Sequence, residues 1–166
     1  MSKRAVAFTG PSNSGKTTTI IKVAKELNSS LRLAIIKHDP SDKAIFDKEG
    51  KDSWKFSQVG AEVVVTSPTR TTFFSKKHRE VDEIISLVGE VDLVIVEGLK
   101  TIPLPRIAIF RNEIDPSYFE YSNALAVDDS VDLSKYEIPK ELDILDLNDT
   151  KALTNWIIAN AKSIKE

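Results

Sequence analysis

Apolar residues fall in short runs along this chain of 166 residues, one of them interrupted by Arg32, and not in alternation with polar ones. Ala5–Phe8, Leu31–Ile36, Val63–Val65, Leu93–Val96, Ile107–Phe110 and Ala124–Val127 each read as a strand. Runs that lack polar alternation predict strands buried on both faces, as in a parallel sheet. Between some of them the period changes. Ile20, Val23, Ala24 and Leu27 stand at i, i+3, i+4 and i+7, which predicts an amphipathic helix over Lys16–Leu27. Val81, Ile84, Ile85 and Val88 repeat the spacing, and Gly89 is a stop signal. Asp149 or Thr150 is placed to cap a last helix whose buried face includes Leu153, Trp156, Ile157 and Ile164. Thr72–Phe74 reads as a short extra strand, while Asp39–Lys55 and Asn112–Asn123 carry little regular pattern. The alternation predicts an α/β fold with right-handed crossovers, a mostly parallel sheet flanked by helices in three layers. No repeat and no Pro/Gly-rich linker divides the chain, so one domain over 1–166 is expected.

Composition narrows the class. With 41% apolar and 29% charged residues the chain is an ordinary globule, which excludes wholesale disorder. No apolar run approaches the roughly 18–20 residues of a membrane span. Met1-Ser2-Lys3-Arg4 leads into only four apolar residues, too few for a signal-peptide core, so a cytoplasmic protein with no membrane partner is expected. The absence of cysteine excludes disulfides, a thiolate nucleophile and a Cys-type zinc site. A net charge of −2 argues against a nucleic-acid partner. The charge is uneven, however: residues 1–83 hold 15 basic and 10 acidic side chains, and the remainder 8 and 15. The basic half suits a small anion such as a phosphate chain, or its charges are solvated helix faces.

Gly10-Pro11-Ser12-Asn13-Ser14-Gly15-Lys16-Thr17 matches G-x-x-x-x-G-K-[ST] at every fixed position, after a predicted strand and opening a predicted helix. Glycine at both ends permits tight turning and close backbone approach. The loop from Gly10 through Thr18 can then surround a β-phosphate at the positive end of the helix dipole, with every residue but Pro11 offering a backbone N–H. Lys16 would reach the β/γ oxygens, and the Thr17 hydroxyl would ligate Mg²⁺. The fold so defined is P-loop NTPase-like.

A second acidic group is needed for the Mg²⁺ shell or the attacking water. Glu97 ends the run Leu93–Val96 at the carboxyl edge, where ligands collect in open parallel sheets. Asp92 lies at the other end, about 13 Å off at roughly 3.3 Å per residue. Glu97 is therefore the metal candidate, with Gly98 offering an amide to the γ-phosphate. Lys16 and Glu97 would carry any catalysis.

Lys37-His38-Asp39 follows another strand at its carboxyl end, and Asp47 and Gly50-Lys51-Asp52-Ser53 lie downstream, before Gly60-Ala61. Singly these are surface residues, a solvated turn, or caps at Asp52 or Ser53 for a helix beginning near Trp54. Together with the phosphate loop and Val96-Glu97-Gly98-Leu99-Lys100, they resemble the molybdopterin-guanine dinucleotide biosynthesis protein B family. Ala124–Asp128 and Leu145–Asp149 also look like that family, so the resemblance spans nearly the whole chain. One position departs from it: Pro105-Arg106 stands where the family usually has Pro-Lys, and Arg does not share the geometry of Lys.

The resemblance implies a GTP-binding accessory protein with at most slow hydrolysis, a homodimer serving a partner guanylyltransferase that attaches the nucleotide to molybdopterin. It implies GTP and Mg²⁺ as cofactors and a molybdopterin nucleotide contacted by His38, Asp47, Lys51, Asp52 and Ser53. Slow hydrolysis agrees with the lack of an identifiable arginine finger, a device worth about 10³–10⁵ in rate. Guanine specificity rests on the resemblance alone. Asn112-Glu113-Ile114-Asp115 keeps the outer residues of Asn-Lys-x-Asp but has Glu for Lys, and reads either as a polar turn or as a guanine contact. Asp128 is a comparable candidate. The alternative function is an ATP-dependent small-molecule kinase or ligase of the dethiobiotin synthetase type, which also pairs a phosphate loop with a strand-ending Glu-Gly.

Overall fold

The structure, a computed structural model, describes residues 3–164. Met1 and Ser2, which belong to the N-terminal segment weighed as a leader, lie outside them. The chain divides into two compact units, Met1–His38 with Val88–Glu166, and Asp39–Leu87. The first contains β1 (Arg4–Thr9), α1 (Lys16–Leu27) and β2 (Leu33–Lys37). The second contains α2 (Asp52–Gln58), β3 (Val63–Ser67), β4 (Arg70–Phe74) and α3 (Val81–Leu87). The chain then completes the first with β5 (Leu93–Glu97), β6 (Arg106–Phe110), β7 (Ala124–Val127), β8 (Asp143–Asp146), α4 (Thr150–Asn160) and β9 (Lys162–Ser163).

Strands β2, β5, β1, β6, β7 and β8 lie side by side in that order, all parallel. The strand β6 first meets β1 at Ala7↔Arg106, which leaves Arg4 and Ala5 bare on that side. Strand β9 pairs antiparallel with those two residues and satisfies the open edge. The result is a mostly parallel seven-stranded sheet. Every residue of β5, β6 and β7 is buried, as their unbroken apolar runs require.

One face of the sheet presents Val6, Phe8, Ile95, Ile107 and Ile109 to the buried stripes of α1 (Ile20, Val23, Leu27) and α4 (Leu153, Trp156, Ile157). Each such side chain contributes about 1.5–3 kcal/mol by leaving water. The other face of β6 and β7 carries Ala108, Phe110, Leu125 and Val127, covered by Ile114, Val131 and Leu142 from connecting segments. Two short 3₁₀ turns, Pro116–Tyr121 and Leu133–Lys135, give those segments their form. No helix among the described residues is long and apolar enough to cross a membrane.

Three expectations are corrected. Val63–Val65 was expected in the parallel sheet, but β3 pairs antiparallel with β4 in a separate two-stranded sheet, leaving Val64 and Val65 exposed. A three-residue apolar run cannot distinguish a buried strand from one arm of a hairpin. Ile164 lies off α4, because the chain leaves the helix at Ala161 to form β9. Of the two cap candidates, Asp149 serves, its carboxylate accepting from the Ala152 amide at 2.9 Å. The start of α2 is uncapped by any side chain: Lys51 is at the cap position and Asp52 begins the helix.

Candidate functional site

The motif Gly10–Thr17 bridges the end of β1 and the start of α1. Gly10 has φ +139, and a Cβ there would drive into the Ile109 carbonyl oxygen of β6. Only glycine lets the loop turn that close to the neighbouring strand. Gly15 caps α1 in the left-handed region at φ 97 and ψ 10, with no side-chain cap and no acidic residue in the first turn. Amides at the positive pole of α1 are thereby free of competing carboxylates. The Ser14 hydroxyl oxygen is buried without a hydrogen-bond partner, an orphan polar atom inside the loop. Thr17 and Thr18 are exposed on the first turn of α1. Orphan hydroxyl, open amides and a glycine-tight loop fit a phosphate group.

Lys16 folds its ammonium back onto the loop, donating to the Gly10 and Pro11 carbonyls at 3.0 and 2.6 Å. Burial holds its pKa below the ordinary lysine value; Glu97 works against the shift and Lys37 adds to it. Glu97 lies in register with Phe8 of β1 on one side and Lys37 of β2 on the other. Its carboxylate is 2.9 Å from the Lys37 ammonium. Glu97 is only 7% exposed. Asp92, at the opposite end of β5, is engaged by Arg32 through its side chain and backbone amide.

The segment after Glu97 differs from expectation at one atom. The Gly98 amide donates to the Phe8 carbonyl at 2.9 Å, so it extends the β1–β5 ladder instead of facing a γ-phosphate. The open position left by the departing chain is also occupied: a Cβ on Gly98 would lie 3.2 Å from that of His38. Leu99 follows at φ 49, in a region few side chains adopt. Arg106 holds this turn in place. Its guanidinium is fully buried and donates to the carbonyls of Gly98 (3.1 Å), Leu99 (3.0 Å) and Ile102 (2.9 Å). Its Nε has no partner, and burial lowers its pKa to about 10. Sequence reasoning had marked Pro105-Arg106 only as a departure from the family pattern. A basic residue opening an otherwise apolar strand was the available signal.

On the other side of the phosphate loop, the Arg111 guanidinium lies 3.3–3.5 Å from where a Gly15 Cβ would stand. Asp128 pairs with Arg111 at 3.2 Å and accepts from the Ser130 hydroxyl, whose oxygen in turn accepts from the Asn112 amide at 2.7 Å. The Ser130 hydroxyl is the chief cause of the lowered Asp128 pKa. Asp115 accepts from the Ser117 amide at 2.9 Å and caps the turn Pro116–Tyr121. That is the turn role for Asp115, and it leaves Asn112 and Asp128 at the ends of β6 and β7.

His38 is exposed, and its amide donates to the Glu97 carbonyl at 3.0 Å. The remaining expected substrate residues belong to the unit Asp39–Leu87. There Ser53 donates to Asp47 at 2.8 Å, and the second Asp47 oxygen is buried without a partner. Asp52 faces Lys55 at 3.6 Å on the surface of α2, and Lys51 is exposed.

A phosphate loop between the first strand and helix of a parallel sheet, with a buried glutamate ending the adjacent strand, defines a P-loop NTPase-like protein. Residues 5–129 match the family described as molybdopterin guanine dinucleotide synthesis protein B, MobB. The chain is 31% identical over 161 residues to the molybdopterin-guanine dinucleotide biosynthesis adapter protein of Haemophilus influenzae, covering 92% of this chain and 86% of that one. The fold is similar to that of Bacillus subtilis MobB (TM-score 0.74, 21% identity, 96% and 98% covered). It is also similar to a MobB homologue from Bacillus stearothermophilus (TM-score 0.67, 18% identity, 93% and 95% covered). This chain belongs to the MobB family.

Proposed function

We propose that this protein is a GTP-binding adapter in molybdopterin-guanine dinucleotide synthesis, serving a guanylyltransferase that performs the nucleotidyl transfer. One observation carries the reading: the uncapped start of α1, ringed by Gly10–Gly15 and closed by Lys16, opposite the buried Glu97. The family membership supplies the guanine nucleotide and the pathway.

In this reading the amides of Gly15 to Thr18 and the Lys16 ammonium hold the β- and γ-phosphates. The Thr17 hydroxyl and the Glu97 carboxylate hold Mg²⁺, which neutralises phosphate charge when bound. No group of three or more His, Cys, Asp or Glu among the described residues is arranged to hold a metal. A one-carboxylate site completed by phosphates and water suits Mg²⁺, which rarely uses an all-protein cage. Hydrolysis is slow, since Arg111, the guanidinium beside Gly15, is engaged by Asp128. Asp47, Lys51, Asp52 and Ser53 serve the molybdopterin nucleotide. The exposed Val64 and Phe73, paired across the β3–β4 hairpin, give a homodimer its apolar contact, and the protein acts in the cytoplasm.

The test adds this protein to a molybdopterin guanylyltransferase with limiting GTP and follows dinucleotide formation. Formation accelerates with the wild type and not with Lys16→Ala, and GTP turnover without partner stays far below about 1 s⁻¹. Equal assistance by the variant, or partner-free turnover in the kinase range, contradicts the proposal.

A further inference from the structure

Lys37 has no part in the reading above, yet the structure joins it to the centre of the site. The parallel register sets Lys37 directly beside Glu97 at the carboxyl ends of β2 and β5. Backbone pairing therefore fixes the approach, and the ammonium closes to 2.9 Å of the carboxylate. The two side chains are unequally exposed: 63% for Lys37 and 9% for Glu97. The carboxylate is held inside while the ammonium covers it from the solvent side. The influence of both charges on Lys16 places all three groups in one electrostatic field.

A divalent cation on Glu97 would meet this ammonium. Two cations at one partly buried carboxylate repel strongly at such distances, so the metal has to displace Lys37. A lysine ammonium is a rotatable point charge on a flexible stem, and it needs another anion once released. In the nucleotide reading of the site, the phosphate chain beside Lys16 is the anion that takes the place of the carboxylate. The Gly98 amide cannot serve that chain, because it is bonded to Phe8.

We infer that Lys37 exchanges partners: it closes Glu97 to divalent cations in the absence of nucleotide and moves to the terminal phosphate when Mg-nucleotide binds. This rests on the nucleotide reading of the site. The exchange couples the two ligands, since metal alone breaks an ion pair and leaves the ammonium without a partner. It also separates tri- from diphosphate, because only the former brings a γ-phosphate to the released charge.

Lys37→Met removes the charge and keeps most of the stem. Mn²⁺ binding without nucleotide, followed by electron paramagnetic resonance, becomes roughly tenfold tighter in the variant. Calorimetry shows Mg-GTP affinity falling roughly tenfold, while Mg-GDP affinity does not fall and rises by up to about tenfold, because the metal no longer has to break the ion pair. Lys37→Arg restores the preference for GTP over GDP. Unchanged Mn²⁺ affinity together with an unchanged GTP-to-GDP ratio in Lys37→Met overturns the exchange while leaving the nucleotide site standing. Failure of the wild type to bind either nucleotide is a different result, and it removes the nucleotide reading and this inference together.

Discussion

The guanidinium of Arg106 donates to the carbonyl oxygen of Gly98 at 3.1 Å, from a fully buried position. With Leu99 and Ile102 as further acceptors, one side chain sets the path of the chain leaving Glu97. The cation is solvated by carbonyl dipoles, and its lowered pKa of about 10 reflects the cost of burial.

Arg106→Met removes a costly buried charge but strands three carbonyls, each worth about 1–3 kcal/mol if left unsatisfied. The second effect wins, and the variant loses about 2–4 kcal/mol in denaturant unfolding. Arg106→Lys falls between the two, since one ammonium cannot span the three acceptors. Hydrogen exchange at Leu99–Ile102 rises in both. A Met variant as stable as the wild type would show that the loop holds itself.

Gly10→Ala tests the loop from the opposite side. The added Cβ meets backbone of β6, which cannot move aside as a flexible side chain could. Thermal unfolding is expected to show a loss of about 2–4 kcal/mol. Gly89 also has positive φ, at 72, but open space around it, so Gly89→Ala costs only about 1–2 kcal/mol. Equal losses at both positions would mean that backbone conformation alone, not the approach to Ile109, demands glycine.

The central sheet was legible because β1, β5, β6 and β7 are buried on both faces and read as unbroken apolar runs. Helix α1 was legible because its stripe obeys the helical period. Strand β8 was not: its residues Asp143, Ile144 and Asp146 are exposed, so the apolar signal is missing at the sheet edge. Strand β9 has two residues, below any periodicity. In the site, the phosphate loop and Glu97 followed from local sequence. The Lys37–Glu97 pair, 60 residues apart, and the grip of Arg106 on Gly98 depend on strand order, which no local pattern carries.

Asp92 is one carboxylate expected to contribute to acid stability, beside Asp115, Asp128 and Asp132. The Arg32 side chain, and then the Arg32 amide, lower its pKa from 3.8 to about 2. A carboxyl depressed on folding stabilises above its unfolded value and loses that contribution as pH falls through the folded one. Wild-type stability therefore declines between about pH 4 and pH 2, and Asp92→Asn flattens that part of the curve. An unchanged acid limb in the variant would assign the decline to other carboxylates.

The central claim is that Gly10–Thr17 holds the phosphates of a guanine nucleotide. Calorimetric titration with Mg-GTP and Mg-ATP, on the wild type and on Lys16→Ala, tests it most directly. The wild type is expected to bind GTP in preference to ATP. The variant is expected to lose at least about tenfold in affinity, about 1.4 kcal/mol, with its circular dichroism unchanged. Equal GTP affinity in the two proteins would contradict the phosphate-loop assignment, and a wild-type preference for ATP would contradict the guanine reading.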